Sequence, residues 1–255
     1  MTSPPRIIHL AETISTNADA LRFALAGEEL PLWVMANRQS AGRGRAGRSW
    51  LSPEGNLYAS VAFNCLAPLE KAGQLSLVAG IAVFDAIRMS TELALDAGLR
   101  LKWPNDLFIG GAKAGGILVE STNAPAIPGF FAVVGFGLNI NAVPEGLGRE
   151  AAALSQHGKA PSPFELLKGL EGAFSRWLRA WRSGEGFPDI REAWIKRAGP
   201  VGEAITVNTG EGPITGTYQG LSATGALRAE VDGQLREFNH GDVALVRHTR
   251  NDGAQ

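Results

Sequence analysis

Residues Ser40-Ala41-Gly42-Arg43-Gly44-Arg45-Ala46-Gly47-Arg48-Ser49-Trp50 hold three arginines and three glycines with no acidic residue among them. A guanidinium keeps its charge at any ordinary pH and resists burial without a partner, while glycine leaves the backbone unusually free. The stretch therefore belongs at the surface as a mobile cationic loop. Its flanks demand the opposite. Leu32-Trp33-Val34-Met35-Ala36 is a compact apolar run, and from Asn56 to Phe63 the residues Leu57, Ala59, Val61 and Phe63 alternate, so both read as buried strands. The chain must fold here as strand, exposed loop, strand. The arginine forks suit carboxylate or phosphate oxygens, and the loop is expected to close over an anion.

The remainder supplies the core. With 255 residues, 45% of them hydrophobic, and a formal net charge of −1, the chain suits one large core and a small second domain. Near-neutral charge excludes bulk affinity for nucleic acid, which makes the basic loop a local device. The single cysteine, Cys65, excludes an internal disulfide framework, and no leader-like segment or run of about 20 apolar residues is read in the sequence. A reducing cytoplasm and no membrane are the expectation.

Other elements follow from spacing. Met1 to Pro5 reads as a frayed end, and Arg6 to Leu10 as a short strand. A helix should start at Ser15-Thr16-Asn17, with Thr16 as N-cap, Asp19 completing a capping box, and Ala18, Leu21 and Leu25 on one face up to Gly27. Gln74 to Met89 is apolar on several faces and suits a deeply packed helix. In Leu99 to Ile109, Pro104 interrupts two strand-like halves so that the turn displays Lys102, Asn105 and Asp106. Lys113 lies on the next turn, before a buried strand over Gly115 to Glu120. Phe130 to Ile140 is a long apolar strand in which Gly135 and Gly137 permit close approach of a backbone or ligand. Ser162, Pro163 and Glu165 open an amphipathic helix through Phe164, Leu167, Leu170, Phe174, Trp177, Leu178 and Trp181. A shorter helix spans roughly Asp189 to Ala198. Gly199-Pro200 then marks a domain boundary, dividing residues 1–199 from 200–255, and five short strands from Ile205 to Arg247 predict a small barrel with a frayed tail.

The polar clusters gain meaning together. Hydroxyl and amide groups (Ser15, Thr16, Asn17), a cationic loop, an Asn-Asp pair beside Lys102, and Lys113 all border apolar strands. Such an inventory fits an enzyme that stabilises phosphate and carboxylate charge at once, with Asp106 a candidate for a magnesium ion or a bound hydroxyl. Neither a Gly-x-Ser-x-Gly elbow nor a phosphate-binding Gly-x-x-x-x-Gly-Lys-Ser/Thr motif occurs, and His9, His157, His240 and His248 lack metal-ligand spacing.

Ser15-Thr16-Asn17, the stretch from Gln39 to Trp50, Lys102-Trp103-Pro104-Asn105-Asp106, Lys113 with Gly116 to Glu120, and Gly135 to Asn141 resemble, in order, the motifs of biotin protein ligases. The resemblance spans Ile7 to Asn141 and extends more weakly to the terminal strands. It implies an α+β fold: a mixed, mostly antiparallel sheet flanked by helices, related to class II aminoacyl-tRNA synthetases, with a small C-terminal SH3-like β-barrel. It also implies a two-step ligase that uses ATP, biotin and Mg²⁺, making biotinyl-5′-AMP and passing the biotinyl group to a lysine of a biotin carboxyl carrier domain. By motif position, Lys113, Arg45 and Arg48 would be catalytic. Ser15, Thr16, Asn17, Gln39, Arg43, Gly44, Arg45, Lys113 and Gly116 would bind biotin. Arg43, Arg45, Arg48, Trp50, Lys102, Asn105, Asp106 and Asn139 would bind ATP or the adenylate, although Trp50 and Trp103 read by themselves as packing residues. No dedicated metal site is expected; magnesium would come with ATP, with Asp106 the candidate contact.

Two departures stand out. Some relatives carry an N-terminal helix-turn-helix; here the motifs begin at Ser15, so no specific DNA binding is expected. Around Ala151 to Leu154 there is no aromatic residue to stack on adenine. A lipoate or octanoate ligase is the alternative enzyme, and a non-catalytic biotin sensor or nucleic-acid binder the alternative from another class. Monomer and homodimer both remain open.

Overall fold

The computed structural model describes residues 6–90, 92–93, 97–123, 128–144 and 150–245. The expectations for Met1 to Pro5 and for the chain beyond Leu245 lie outside them. In chain order the strands are β1 (Arg6–Thr13), β2 (Leu32–Gln39), β3 (Leu57–Cys65), β4 (Glu92–Leu93), β5 (Arg100–Lys102), β6 (Asp106–Ile109), β7 (Ala112–Asn123), β8 (Phe130–Leu138), β9 (Gly158–Lys159), β10 (Ala204–Thr209), β11 (Gly212–Leu221), β12 (Leu227–Val231), β13 (Gln234–Phe238) and β14 (Asp242–Leu245). The helices are α1 (Thr16–Leu25), α2 (Gln74–Ser90), α3 (Pro163–Trp181) and α4 (Phe187–Ile195).

The main sheet has seven strands in the order β1-β2-β3-β8-β7-β6-β5, parallel only between β1 and β2. Alternation along each strand sorts its side chains onto two faces. Trp33, Met35, Val61, Phe63, Val134 and Phe136 enter the large core with α2 and α3, while Val34, Ala62 and Val133 meet Ala20 and Ala24 of α1 on the other face. Trp33 stacks on Phe136 at 5.8 Å between ring centroids and meets Phe174 edge-on at 6.1 Å, a pairing worth about 0.5–1.5 kcal/mol beyond burial.

Helix α3 starts as expected: Ser162 and Glu165 form a reciprocal capping box with Pro163 in the first turn. Helix α1 does not. Ser15 holds the N-cap position without a side-chain cap bond, and Thr16 gives its backbone N–H and hydroxyl to Gln39 Oε1 at 2.9 and 3.1 Å. Asp19 accepts instead from the Thr13 hydroxyl and from Arg22. The buried face of α1 is Thr16, Asn17, Ala20 and Ala24, with Leu25 exposed, because small side chains let the helix lie close to the sheet.

The segment Leu69–Ser90, containing α2, has a mean hydropathy of 1.3 and by length and composition alone could cross a bilayer, contrary to the reading that no such run exists. Most of its apolar side chains are instead covered by the sheet, α3 and α4, including fully buried Leu75, Ile81 and Ile87, while Leu69 and Met89 near its ends are exposed.

The C-terminal strands form an antiparallel sheet in the order β13-β12-β11-β10-β14. It rests on the β5–β6 hairpin, whose turn carries a cis Trp103-Pro104 bond: Trp103 Nε1 donates to Gly225 O at 3.1 Å, and Arg100 pairs with Glu203 at 2.7 Å. Ile205, Val207, Tyr218 and Val243 belong to the same continuous core as Leu101, Trp103 and Trp194.

Candidate active site

The α1-side face of the sheet goes bare beyond the helix. Register aligns Tyr58, Gly137, Gly116 and Asp106 across four neighbouring strands, with Ser60, Gly135 and Leu118 in a parallel row. Two side chains occupy the missing volume. A Cβ on Gly135 would lie 2.0 Å from Asn17 Oδ1, and one on Gly137 would lie 2.6 Å from the Trp50 ring. The close approach read from these glycines is therefore made by Asn17 and Trp50.

Above this floor lies a cleft bordered by Ser15, Thr16, Asn17, Gln39, Arg43, Gly44, Arg45, Arg48, Trp50, Asn105, Asp106, Lys113 and Gly116. Residues more than 100 positions apart thus converge as the motif order implied. One end is lined by uncharged polar side chains. Ser15, Thr16 and Asn17 are each 4% exposed. The Ser60 hydroxyl lies 2.6 Å from Asn17 Oδ1 and 2.8 Å from Thr16 Oγ1, Asn17 Nδ2 donates to Glu120 at 2.7 Å, and Gln39 Nε2 donates to Ser52 at 3.0 Å. Ser60 was not singled out from the sequence; the signal was a lone serine among the aliphatic and aromatic residues of the strand's buried part.

The other end is cationic. The loop has local structure that its composition does not announce: Arg43 and Ser49 form a β-bridge, Arg45–Gly47 make a short 3₁₀ turn, and Gly44 N–H bonds Arg48 O at 2.6 Å. Protein groups hold its side chains. Arg43 pairs with Glu120 at 2.9 Å, Arg45 donates to Asn105 Oδ1 at 3.2 Å, and Arg45 and Arg48 reach Asp242 at 3.4 and 2.8 Å. Asp106 sits between Lys113, which it hydrogen-bonds, and Lys102 at 3.5 Å. In and behind this wall five cations meet three carboxylates, an excess of two positive charges.

Lys102 is not on the cleft wall. It turns behind Asp106, lies 4.7 Å from the Phe108 ring centroid and donates to Val243 O, so direct phosphate contact does not follow from its position. Asn139 borders an adjoining small pocket with Trp50, Leu51, Lys113, Pro144 and Ala151. Its Nδ2 donates to Ala152 O at 3.1 Å, whereas its buried Oδ1 and the buried Trp50 Nε1 have no hydrogen-bond partner among the described residues. An unpaired buried acceptor costs about 1–3 kcal/mol, so such atoms mark places where a ligand would be favoured. No cluster of three or more His, Cys, Asp or Glu that could hold a metal occurs among the described residues.

The Biotin/lipoate A/B protein ligase family matches residues 10–139, and the Biotin protein ligase C terminal domain matches residues 201–246. The chain is 40% identical over 225 residues to a biotin–[acetyl-CoA-carboxylase] ligase of Paracoccus denitrificans, spanning 86% of this chain and 91% of that one. Its fold is similar to a biotin protein ligase from Aquifex aeolicus in complex with biotin and ATP, at a TM-score of 0.77 and 30% identity, covering 95% and 99% of the two chains. It is also similar to one from Leishmania major in complex with biotinyl-5-AMP, at 0.63 and 26%, covering 93% and 100%. With the motifs in order and both halves of the chain matched, this protein belongs to the biotin protein ligases of the biotin/lipoate A/B protein ligase family.

Proposed function

We propose that this chain activates biotin with ATP and transfers the biotinyl group to a lysine of a biotin carrier domain, such as that of acetyl-CoA carboxylase. The observation that carries the reading is one cleft with a buried, uncharged hydrogen-bonding end and a cationic end. The ureido ring, with one carbonyl and two N–H groups, needs the first; a carboxylate meeting a triphosphate needs the second. In the first step a biotin carboxylate oxygen attacks the α-phosphorus and pyrophosphate leaves. In the second the carrier amine attacks the acyl carbon, AMP leaves, and the amine loses a proton.

Ser15, Thr16, Asn17 and Gln39 hold the head group, and Gly116 lets the acyl chain lie against the backbone. Lys113, kept in place by Asp106, sits where carboxylate and α-phosphate meet and neutralises both. Arg45 holds the adenylate, Arg48 the outer phosphates, and Arg43 with Gly44 the closed loop. Leu51, Pro144, Ala151 and Trp50 offer an apolar slot for adenine, with Asn139 Oδ1 the acceptor for its amino group. Magnesium enters with the triphosphate, since Asp106 already serves two lysines. A closed loop keeps the mixed anhydride from water. Residues 1–199 form the catalytic unit and 200–255 the C-terminal unit, and the enzyme works in the cytoplasm, where ATP and carrier meet.

The test is biotin-dependent exchange of pyrophosphate into ATP, then transfer to a purified carrier domain, with lipoate in a parallel arm. Exchange and transfer with biotin are expected; activity with lipoate alone would overturn the assignment.

A further inference from the structure

The loop arginines assigned to substrate phosphates are occupied by the protein itself. Asp242 opens β14, the edge strand of the C-terminal sheet, and presents one oxygen to each arginine: Oδ1 to Arg45 at 3.4 Å and Oδ2 to Arg48 at 2.8 Å. The neighbouring backbone joins in, Gly241 O accepting from Arg45 at 3.3 Å and Val243 O from Lys102. Three cations of the catalytic side thus converge on residues 241–243. Strand β14 cannot drift with them, because Val207↔Val243 and Asn208↔Asp242 pair it to β10 and Val243 is buried.

Two guanidiniums, each on a separate oxygen of one anion, is also how arginines grip a phosphate. We propose that Asp242 is a positioning residue, an internal anion that holds Arg45 and Arg48 and yields them to the triphosphate, so that the C-terminal sheet senses nucleotide binding. This rests on the ligase reading above. A triphosphate carries several charges against one and takes over both arginines; the displaced carboxylate, left beside a polyanion, is then repelled. Because Asp242 is 42% exposed and Arg48 50% exposed, an incoming anion can reach the pair without opening the core. Burial disfavours ionised Asp242, but its hydrogen bond from Arg48 and the charges of Arg48, Arg45 and Lys102 outweigh this and hold its carboxyl below the ordinary range.

The proposal is tested by calorimetric titration with inorganic tripolyphosphate, without biotin, of the full chain and of Asp242→Asn. Removing a competitor held by two half-exposed ion pairs should tighten binding by roughly three- to tenfold. The same variant should lower the KM for ATP in biotin-dependent exchange by a similar factor, with kcat and biotin affinity within about twofold. Asp232→Asn, which removes one charge from the β12–β13 turn at the other side of the sheet, controls for net charge and should change nothing. Unchanged or weaker tripolyphosphate binding in Asp242→Asn, or equal tightening in Asp232→Asn, would overturn the proposal. Asp242→Ser serves if the asparagine variant does not fold. Loss of biotin-dependent exchange in the parent chain would refute the ligase reading while leaving the tripolyphosphate comparison intact.

Discussion

Gly135→Ala should damage the head-group end of the cleft through a single methyl. The new Cβ would lie 2.0 Å from Asn17 Oδ1 and 2.9 Å from its Cγ. Ordinary contact is about 3.5 Å, so Asn17 has to retreat by roughly 1.5 Å. Its bonds to Ser60 at 2.6 Å and Glu120 at 2.7 Å cannot both survive that movement. Stranding the buried Ser60 hydroxyl costs about 1–3 kcal/mol, and crowding a packed sheet costs a similar amount. The sum, about 2–5 kcal/mol, lowers the melting temperature of a chain this size by on the order of 10 °C. Biotin affinity should fall by at least about tenfold, because Asn17 no longer faces the ligand at hydrogen-bond range. Thermal unfolding and biotin titration measure both effects. Gly73→Ala is the control, since a Cβ there meets nothing within 4 Å. If Gly135→Ala matches that control in melting and in biotin binding, Asn17 does not rest on Gly135 and the packing argument fails.

Lys113→Ala should reduce biotin-dependent pyrophosphate exchange by at least about 10²-fold while the fold survives, because Asp106 keeps Lys102; near-normal exchange would dismiss Lys113 from the chemistry. Arg45→Gly removes the link from loop to Asn105 and β14, so activated biotin should escape and label bystander lysines, read by blotting a mixture of carrier and albumin. Labelling confined to the carrier would end the retention role. Ser162→Ala should cost about 1 kcal/mol, seen as a drop of about 2–4 °C in melting with unaltered exchange. For Asp242 the folded-state pKa is depressed, so its contribution to stability is present above the unfolded value of about 3.9 and is lost as pH falls through the folded one. The stability difference between parent and Asp242→Asn should therefore shrink on acidification below about pH 4; a difference that grows would reverse the sign of the argument.

What the sequence revealed depended on how local each cause was. The capping box at Ser162, the apolar alternation of β3 and the turn at Pro104 are decided within a few residues, and they appear where expected. The set of residues around the cleft was likewise legible from motif order. The start of α1 was not, because the Thr16 hydroxyl is claimed by Gln39, 23 positions away, rather than by its own helix. The partners of the loop arginines were hidden for the same reason: Glu120 and Asp242 lie 77 and 197 positions from Arg43 and Arg45. The contact between Lys102 and Val243 was hidden likewise, because nothing nearby in sequence announces Val243 as its acceptor.

The row of Gly137 and Gly116 between Tyr58 and Asp106 also has a genetic side. A floor made of backbone has no rotamers, so its shape cannot be retuned by repacking. Any missense codon change in these glycines adds at least a Cβ, which at Gly137 would meet the Trp50 ring at 2.6 Å and at Gly116 at 3.2 Å. In a saturation library scored for biotin-dependent growth, residues 116, 135 and 137 should stand out as an intolerant stripe crossing two strands, beside core positions that accept their neighbours' volumes. Variation in what this fold accepts as an acid would then have to enter from the walls, through Ser15, Gln39 and the loop, because the floor offers selection almost nothing to work with.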